Sequence, residues 1–101
     1  MAEHANVIRV SHYWPAPGRQ AEVTTLLEEG AKRIREIDGC FGVQVCTSRE
    51  DPDVLVAVSR WASQSGIDQM LKMMQRGGDL DVSGHADLLA SPPRSEHLTP
   101  I

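Results

Sequence analysis

The sequence predicts an α+β domain in which two helices cover one face of a four-stranded sheet. Segments with strand-like and helix-like hydrophobic periodicity follow one another in the order β-α-β, β-α-β. Turn residues separate these segments, and 101 residues are the length of a single domain. We therefore treat residues 1–101 as one domain, whose residues 91–101 form an edge strand or a C-terminal arm.

The first half of the chain predicts a strand, a helix and a second strand. Residues 6–14 are rich in β-branched and aromatic types and end at turn residues 15–18. Residues 18–37 repeat apolar side chains at three- and four-residue steps, as an amphipathic helix does, and Asp38-Gly39 ends the pattern. Residues 41–48 alternate like a strand.

The second half begins with a predicted hairpin, because the turn residues 50–53 lead directly into a third strand over 54–61. Residues 64–76 predict a Met-rich helix that ends at Gly77-Gly78. A shorter helix is predicted over 82–90 and is closed by Pro92-Pro93. Residues 94–100 are then a polar edge strand or an arm.

The first strand has two distinct faces, and which of them lies under the helices decides the composition of any pocket there. We expect the face with His12 to be covered by the helices. A register shift at the bend of residues 15–17 would put Ser11 and Tyr13 in the pocket instead. The two faces consist of Ile8, Val10, His12 and Trp14 on one side, and of Val7, Arg9, Ser11 and Tyr13 on the other.

The third strand is apolar on both faces, although two helices can cover only one face of the sheet. An exposed apolar face of that size is an aggregation hazard. We therefore expect a homodimer that buries the open sheet face.

Charge and composition exclude several functions. A net charge of −4 argues against nucleic acid and anionic membranes as partners.

The N-terminus lacks the pattern of a signal peptide, so we expect a cytoplasmic protein. If Cys40 and Cys46 lie on one strand, the six-residue spacing holds them roughly 20 Å apart, too far for a disulfide, and we expect free thiols. The dispersed His and Cys residues have no metal-ligand spacing, and nucleotide-binding motifs are absent, so we expect no cofactor and no metal.

Trp61 is the leading candidate for a functional residue, because it ends the third strand just before the second helix. It lines a pocket or fills the core. Met70 and Met74 on that helix either form an adaptable surface for a flat aromatic ligand or belong to the core. His12 is a candidate base, and His85 either closes the pocket or lies on the surface.

The chain carries four short motifs, which are Pro17-Gly18, Asp38-Gly39-Cys40, Asp51-Pro52 and Trp61-x-Ser63. In their order and spacing these motifs are similar to those of the antibiotic biosynthesis monooxygenase family over residues 6 to about 76. The resemblance implies a ferredoxin-like βαββαβ antiparallel sheet that pairs into a dimeric α+β barrel. The family includes small oxygenases that oxidise aromatic quinols, or degrade heme, without flavin or a dedicated metal, and the resemblance implies an activity of this kind. Their ligand lies between sheet and helices against the Trp that matches Trp61.

The chain departs from the family pattern at three positions. The heme-degrading branch carries a His where this chain has Met70 and an Asn where it has Ser11, so the axial imidazole is missing. The quinol-oxidising branch carries a substrate-binding Asn where this chain has Ala57.

From this resemblance we expect a cofactor-independent monooxygenase that acts on an aromatic phenol or quinol with O2. In this hypothesis His12 and Trp61 are catalytic, and the substrate is bound by Ser11, Tyr13, Met70, Met74 and His85. Two alternatives use the same fold. One is a polyketide-type cyclase or isomerase, and the other is a non-catalytic binding protein, which Ala57 and Met70 favour.

Overall fold

The computed structural model describes residues 5–77 and 86–101 and confirms the α+β fold class. Four strands form one sheet in the order β2-β3-β1-β4, and every neighbouring pair is antiparallel. A short 3-10 helix, Ala86–Leu88, precedes the last strand. The elements are β1 (Val7–Pro15), α1 (Gln20–Ile34), β2 (Cys40–Thr47), β3 (Leu55–Trp61), α2 (Gln64–Gly77) and β4 (Leu89–Leu98).

The predicted hairpin between β2 and β3 is confirmed, and its turn is held by local hydrogen bonds. The Val54 amide donates to the Asp51 carbonyl at 3.0 Å, and the Asp53 amide donates to Asp51 Oδ1 at 3.2 Å. An Asp side chain that bonds the backbone two residues on is a typical turn device. The two cysteines both lie on β2 and are free, as predicted.

Of the helix predicted over 82–90, the structure describes one 3-10 turn at Ala86–Leu88, and the prediction is wrong from Leu89 onward. Residues 82–85 lie outside the described residues, and β4 starts already at Leu89, which pairs with Pro15 of β1. Pro92 and Pro93 lie inside β4, opposite Tyr13, at a register shift between the His12 and Trp14 pairs. Proline is tolerated there because β4 is an edge strand and the shift is a bulge.

The structure also corrects the predicted facing of β1. Tyr13 is buried in a core cluster with Val23 and Leu27 of α1, so its face lies under the helices. His12 lies on the opposite, open face and stacks on Trp14, with ring centroids 6.2 Å apart. Both faces carry apolar residues, so alternation alone could not choose between them. The large Tyr13 side chain fills the layer between sheet and α1.

The open face of the sheet carries a row of apolar residues on its two central strands. Val10 and Val58 are directly paired, and Ile8 and Val56 lie on the same side. Each of them is only partly buried within one chain. Both helices pack on the other face, so within the described ranges this apolar row has no covering element.

In those same ranges, no helix is both long and apolar enough to cross a bilayer.

Candidate functional site

Trp61 ends β3 as one of the most deeply buried side chains of the described chain, with 0% of its surface exposed. Its indole Nε1 donates to Ser59 Oγ at 2.8 Å. The ring packs against Ile67 and Met70 of α2 in a second core cluster. Burial of an aromatic ring with a satisfied N–H makes this residue a strong anchor between sheet and helix.

Backbone bonds fix the chain on both sides of Trp61. The Asn6 amide donates to the Trp61 carbonyl at 2.9 Å, and the Ala62 amide donates to the Gly39 carbonyl at 2.7 Å. Ser63 precedes the first helical residue, and its hydroxyl lies 2.7 Å from the Ser65 hydroxyl. The strand-to-helix junction is therefore closely specified.

A small cavity of about 30 Å³ lies between the sheet and the two helices. Its polar lining consists of Arg9, Tyr13 and Ser59, which all lie on the helix-covered face of the sheet. The remaining lining is apolar, and α1 contributes the small residues Gly30 and Ala31. A few convergent polar groups in an apolar surround are typical of small-molecule sites.

Arg9 is the charged member of this cavity. Its Nε is buried and has no hydrogen-bond partner among the described residues. Its Nη2 donates to Ser95 Oγ at 3.1 Å, and Ser95 Oγ also lies 2.8 Å from Ser11 Oγ. The guanidinium group therefore reaches from the cavity to the neighbouring edge strand.

The structure brings some of the predicted site residues together and separates others. Tyr13 and Met70 line the cavity. Trp61 and Met74 belong to the adjacent cluster behind Met70, so Trp61 does not line the cavity directly. Ser11 is fully buried on the cavity side but bonds to Ser95 instead.

One predicted residue, His12, does not join this site. His12 faces the open side of the sheet, so it cannot act in a cavity under the helices. It belongs to a surface pocket of about 360 Å³ together with Trp14 and Arg94. His85 lies outside the described residues.

Arg9 and Ser59 were not predicted from the sequence as site residues. The signal for Arg9 is the polar series Arg9, Ser11 and Tyr13 at alternate positions of β1, and no comparable series marks Ser59 on β3. Such a series is costly under a pair of helices unless it serves a purpose. It was overlooked because the opposite face was assigned to the core.

A wider groove of about 890 Å³ lies on the surface near the end of α1 and the middle of α2. Charged side chains line much of it, including Glu36, Asp38 and Lys72. We favour the internal cavity as the site, because the buried Arg9 Nε lacks an acceptor among the described residues and needs an explanation, whereas solvated surface charges do not.

Cys40 packs beside Trp61, and burial raises the pKa of its thiol above the ordinary value. The thiol is therefore protonated near neutral pH and is a poor nucleophile or metal ligand. Among the residues that the structure describes, no three His, Cys, Asp or Glu side chains are grouped as metal ligands.

Several solved structures share this fold across nearly the whole chain. The monooxygenase from the gene ActVA-Orf6 of Streptomyces coelicolor, in complex with the ligand nanaomycin D, has 21% identity and a TM-score of 0.77, covering 96% of this chain and 88% of that one. Rv0793 from Mycobacterium tuberculosis has 21% identity and a TM-score of 0.76, with 94% of each chain covered. PA3566 from Pseudomonas aeruginosa has 16% identity and a TM-score of 0.80, covering 100% and 99%.

Among curated protein sequences none matches this chain. The family model for antibiotic biosynthesis monooxygenase matches residues 6–73, which is more than half of the chain. That match includes β1, α1, the hairpin and most of α2, and thus every element that lines the cavity. The chain therefore belongs to the antibiotic biosynthesis monooxygenase family.

Proposed function

We propose that this protein is a monooxygenase that oxidises an electron-rich phenol or quinol with O2 in the cavity between sheet and helices. The observation that carries the proposal is the cavity lining, in which Arg9, Tyr13 and Ser59 project into an otherwise apolar space. The Streptomyces coelicolor monooxygenase of the same fold was solved with nanaomycin D, which supports a small-molecule ligand here as well.

The chemistry needs no electron donor beyond the substrate. Removal of a proton from a quinol gives an electron-rich anion that can reduce O2. A quinol and O2 then yield a hydroxylated quinone and water, so that one oxygen atom enters the ring and the other leaves as water. The protein would contribute orientation of the ring and exclusion of bulk water.

Tyr13 is the side chain that we expect to contact a substrate hydroxyl. It lines the cavity, and its phenol group has no hydrogen-bond partner among the described residues. A phenol can donate or accept a hydrogen bond. Trp61 contributes as a positioning residue, because its N–H orients the Ser59 hydroxyl in the cavity wall.

The site must widen to admit an aromatic ring. The cavity of about 30 Å³ is far smaller than the roughly 150 Å³ of an engineered cavity that binds benzene. Met70 separates the cavity from the Trp61 cluster, and an unbranched Met side chain changes shape more easily than Leu or Ile. We expect Met70 to move when the ligand enters.

Oxygen uptake with a panel of dihydroxynaphthalenes tests this function, with autoxidation without protein subtracted. We expect Tyr13→Phe to lower turnover by about tenfold, the loss of roughly one hydrogen bond. The matched variant His12→Gln changes a residue of the open face and is expected to leave turnover unchanged. Turnover that continues under strict anaerobiosis would contradict the oxygenase and indicate a cyclase or isomerase.

We also propose that the protein is a homodimer that buries the open sheet face. The paired Val10 and Val58, with Ile8 and Val56, form an apolar row that no described element covers. Burial of such a row against a second copy removes apolar surface from water.

Val58→Glu is expected to convert this dimer into a folded monomer, because two carboxylates would be buried near the two-fold axis without partners. Sedimentation velocity at micromolar concentration measures the change, and circular dichroism confirms folding. Gln69→Glu, on the exposed side of α2, adds the same charge and should leave the dimer intact. If the protein without any substitution sediments as a monomer at micromolar concentration, the dimer proposal is contradicted.

A further inference from the structure

We propose that Arg9 binds an anionic oxygen of the ligand, so that this cavity takes its aromatic substrate as an anion. The inference rests on the proposed function in that it takes the same cavity as the ligand site. The chemical class it names is a planar aromatic compound with a phenolate or carboxylate oxygen.

The first argument is the state of the guanidinium group. Its Nε is buried without a partner among the described residues, while Nη2 is held by Ser95 Oγ at 3.1 Å. Leaving a buried N–H of a charged group without an acceptor is costly, so an acceptor at Nε would be favoured. The bond to Ser95 fixes the group, so an incoming oxygen meets a donor that is already oriented.

The second argument is the charge around Arg9. The residues that line the cavity include no Asp or Glu, and no described carboxylate lies within ion-pair distance of Arg9. Its neighbours across the strands are Ser59 on β3 and His97 on β4, and Tyr13 lies two residues along β1. The lining residues from α1 and α2 are uncharged.

The third argument is the overall charge of the protein. A net charge of −4 repels anions at long range. The positive charge of Arg9 is therefore a local feature of the cavity and does not belong to a basic surface. Placed in an apolar surround, it favours the ionised form of a bound phenol and lowers the pKa of that ligand.

Calorimetric titration tests the inference without any turnover. The probes are 2-naphthoate, the neutral alcohol 2-naphthalenemethanol of similar shape, and 4-nitrophenol, whose phenolate form is visible by absorbance. We expect 2-naphthoate to bind about tenfold to a hundredfold more tightly than the alcohol. We also expect bound 4-nitrophenol to ionise at a lower pH than it does in free solution.

The decisive variants are Arg9→Gln and Arg9→Lys, compared with Arg49→Gln in the exposed β2–β3 turn. Arg9→Gln should abolish both the anion preference and the shift in 4-nitrophenol ionisation, and Arg9→Lys should retain part of each. Arg49→Gln removes the same charge and should change neither. Thermal melting shows whether each variant is folded. If Arg9→Gln is unfolded, the partial loss expected for Arg9→Lys tests the inference instead.

Equal binding of the anion and the alcohol by the unchanged protein would overturn the inference. A preference that survives in folded Arg9→Gln, or a failure of both anions to bind, would overturn it as well. Anion binding that depends on Arg9, without oxygen uptake for any quinol, would contradict only the monooxygenase. Tighter binding of 4-nitrophenolate than of 2-naphthoate identifies the phenolate as the preferred class, and the reverse identifies the carboxylate.

Discussion

Replacement of Trp61 by Ala is expected to lower the free energy of unfolding by about 3–5 kcal/mol. The indole is 0% exposed and packs against Ile67 and Met70, so its removal leaves a void between β3 and α2. It also deprives Ser59 Oγ of the Nε1 donor at 2.8 Å. Urea denaturation followed by circular dichroism measures the loss.

Two further variants separate the causes of this loss. Trp61→Phe keeps most of the ring volume but lacks the N–H, so it should cost less than Trp61→Ala. Trp14→Ala removes the other tryptophan, which is only partly buried on the open face. In the monomer this variant should also lower the free energy of unfolding by less than Trp61→Ala does. A loss below about 1 kcal/mol for Trp61→Ala would contradict the role of this ring as an anchor.

Gly66→Ala is expected to destabilise the protein by about 1–3 kcal/mol, although alanine is the better helix former. An added Cβ at Gly66 would lie 2.8 Å from Cε3 and 3.2 Å from Cζ3 of Trp61. The ring cannot retreat, because it is fully enclosed. Either α2 moves away from β3 or the indole leaves its position.

Thermal melting detects this change, and Gln69→Ala on the exposed side of α2 is the matched control. That control adds helix propensity without a contact to Trp61 and should be neutral within about 0.5 kcal/mol. A melting temperature that rises in Gly66→Ala would show that the helix accommodates a side chain there, and would contradict the close approach.

Much of the fold could be predicted from the sequence, because hydrophobic period and turn residues both respond to local structure. The strand before Pro15, the hairpin around Asp51 and the helix after Ser63 all follow from such local signals. The start of β4 does not. Its first residues pair with β1 across more than 70 positions, and no local pattern reveals a pairing partner that distant.

The candidate site was harder to predict, because it depends on which face of β1 meets the helices. Trp61 could be predicted because it ends β3 just before α2, and Met70 because α2 has one clear apolar side. Arg9 was missed and His12 misplaced by the same error, since a strand of nine residues with apolar groups on both sides has no preferred orientation in sequence alone.

The two adjacent prolines of β4 limit how copies of this molecule can come together. Neither ring nitrogen can donate to an incoming strand, so the β4 edge of the sheet is a poor template for fibril growth by lateral strand addition. The proposed two-fold dimer would use the valine-bearing face instead, and such a pairing closes on itself and admits no chain of further copies.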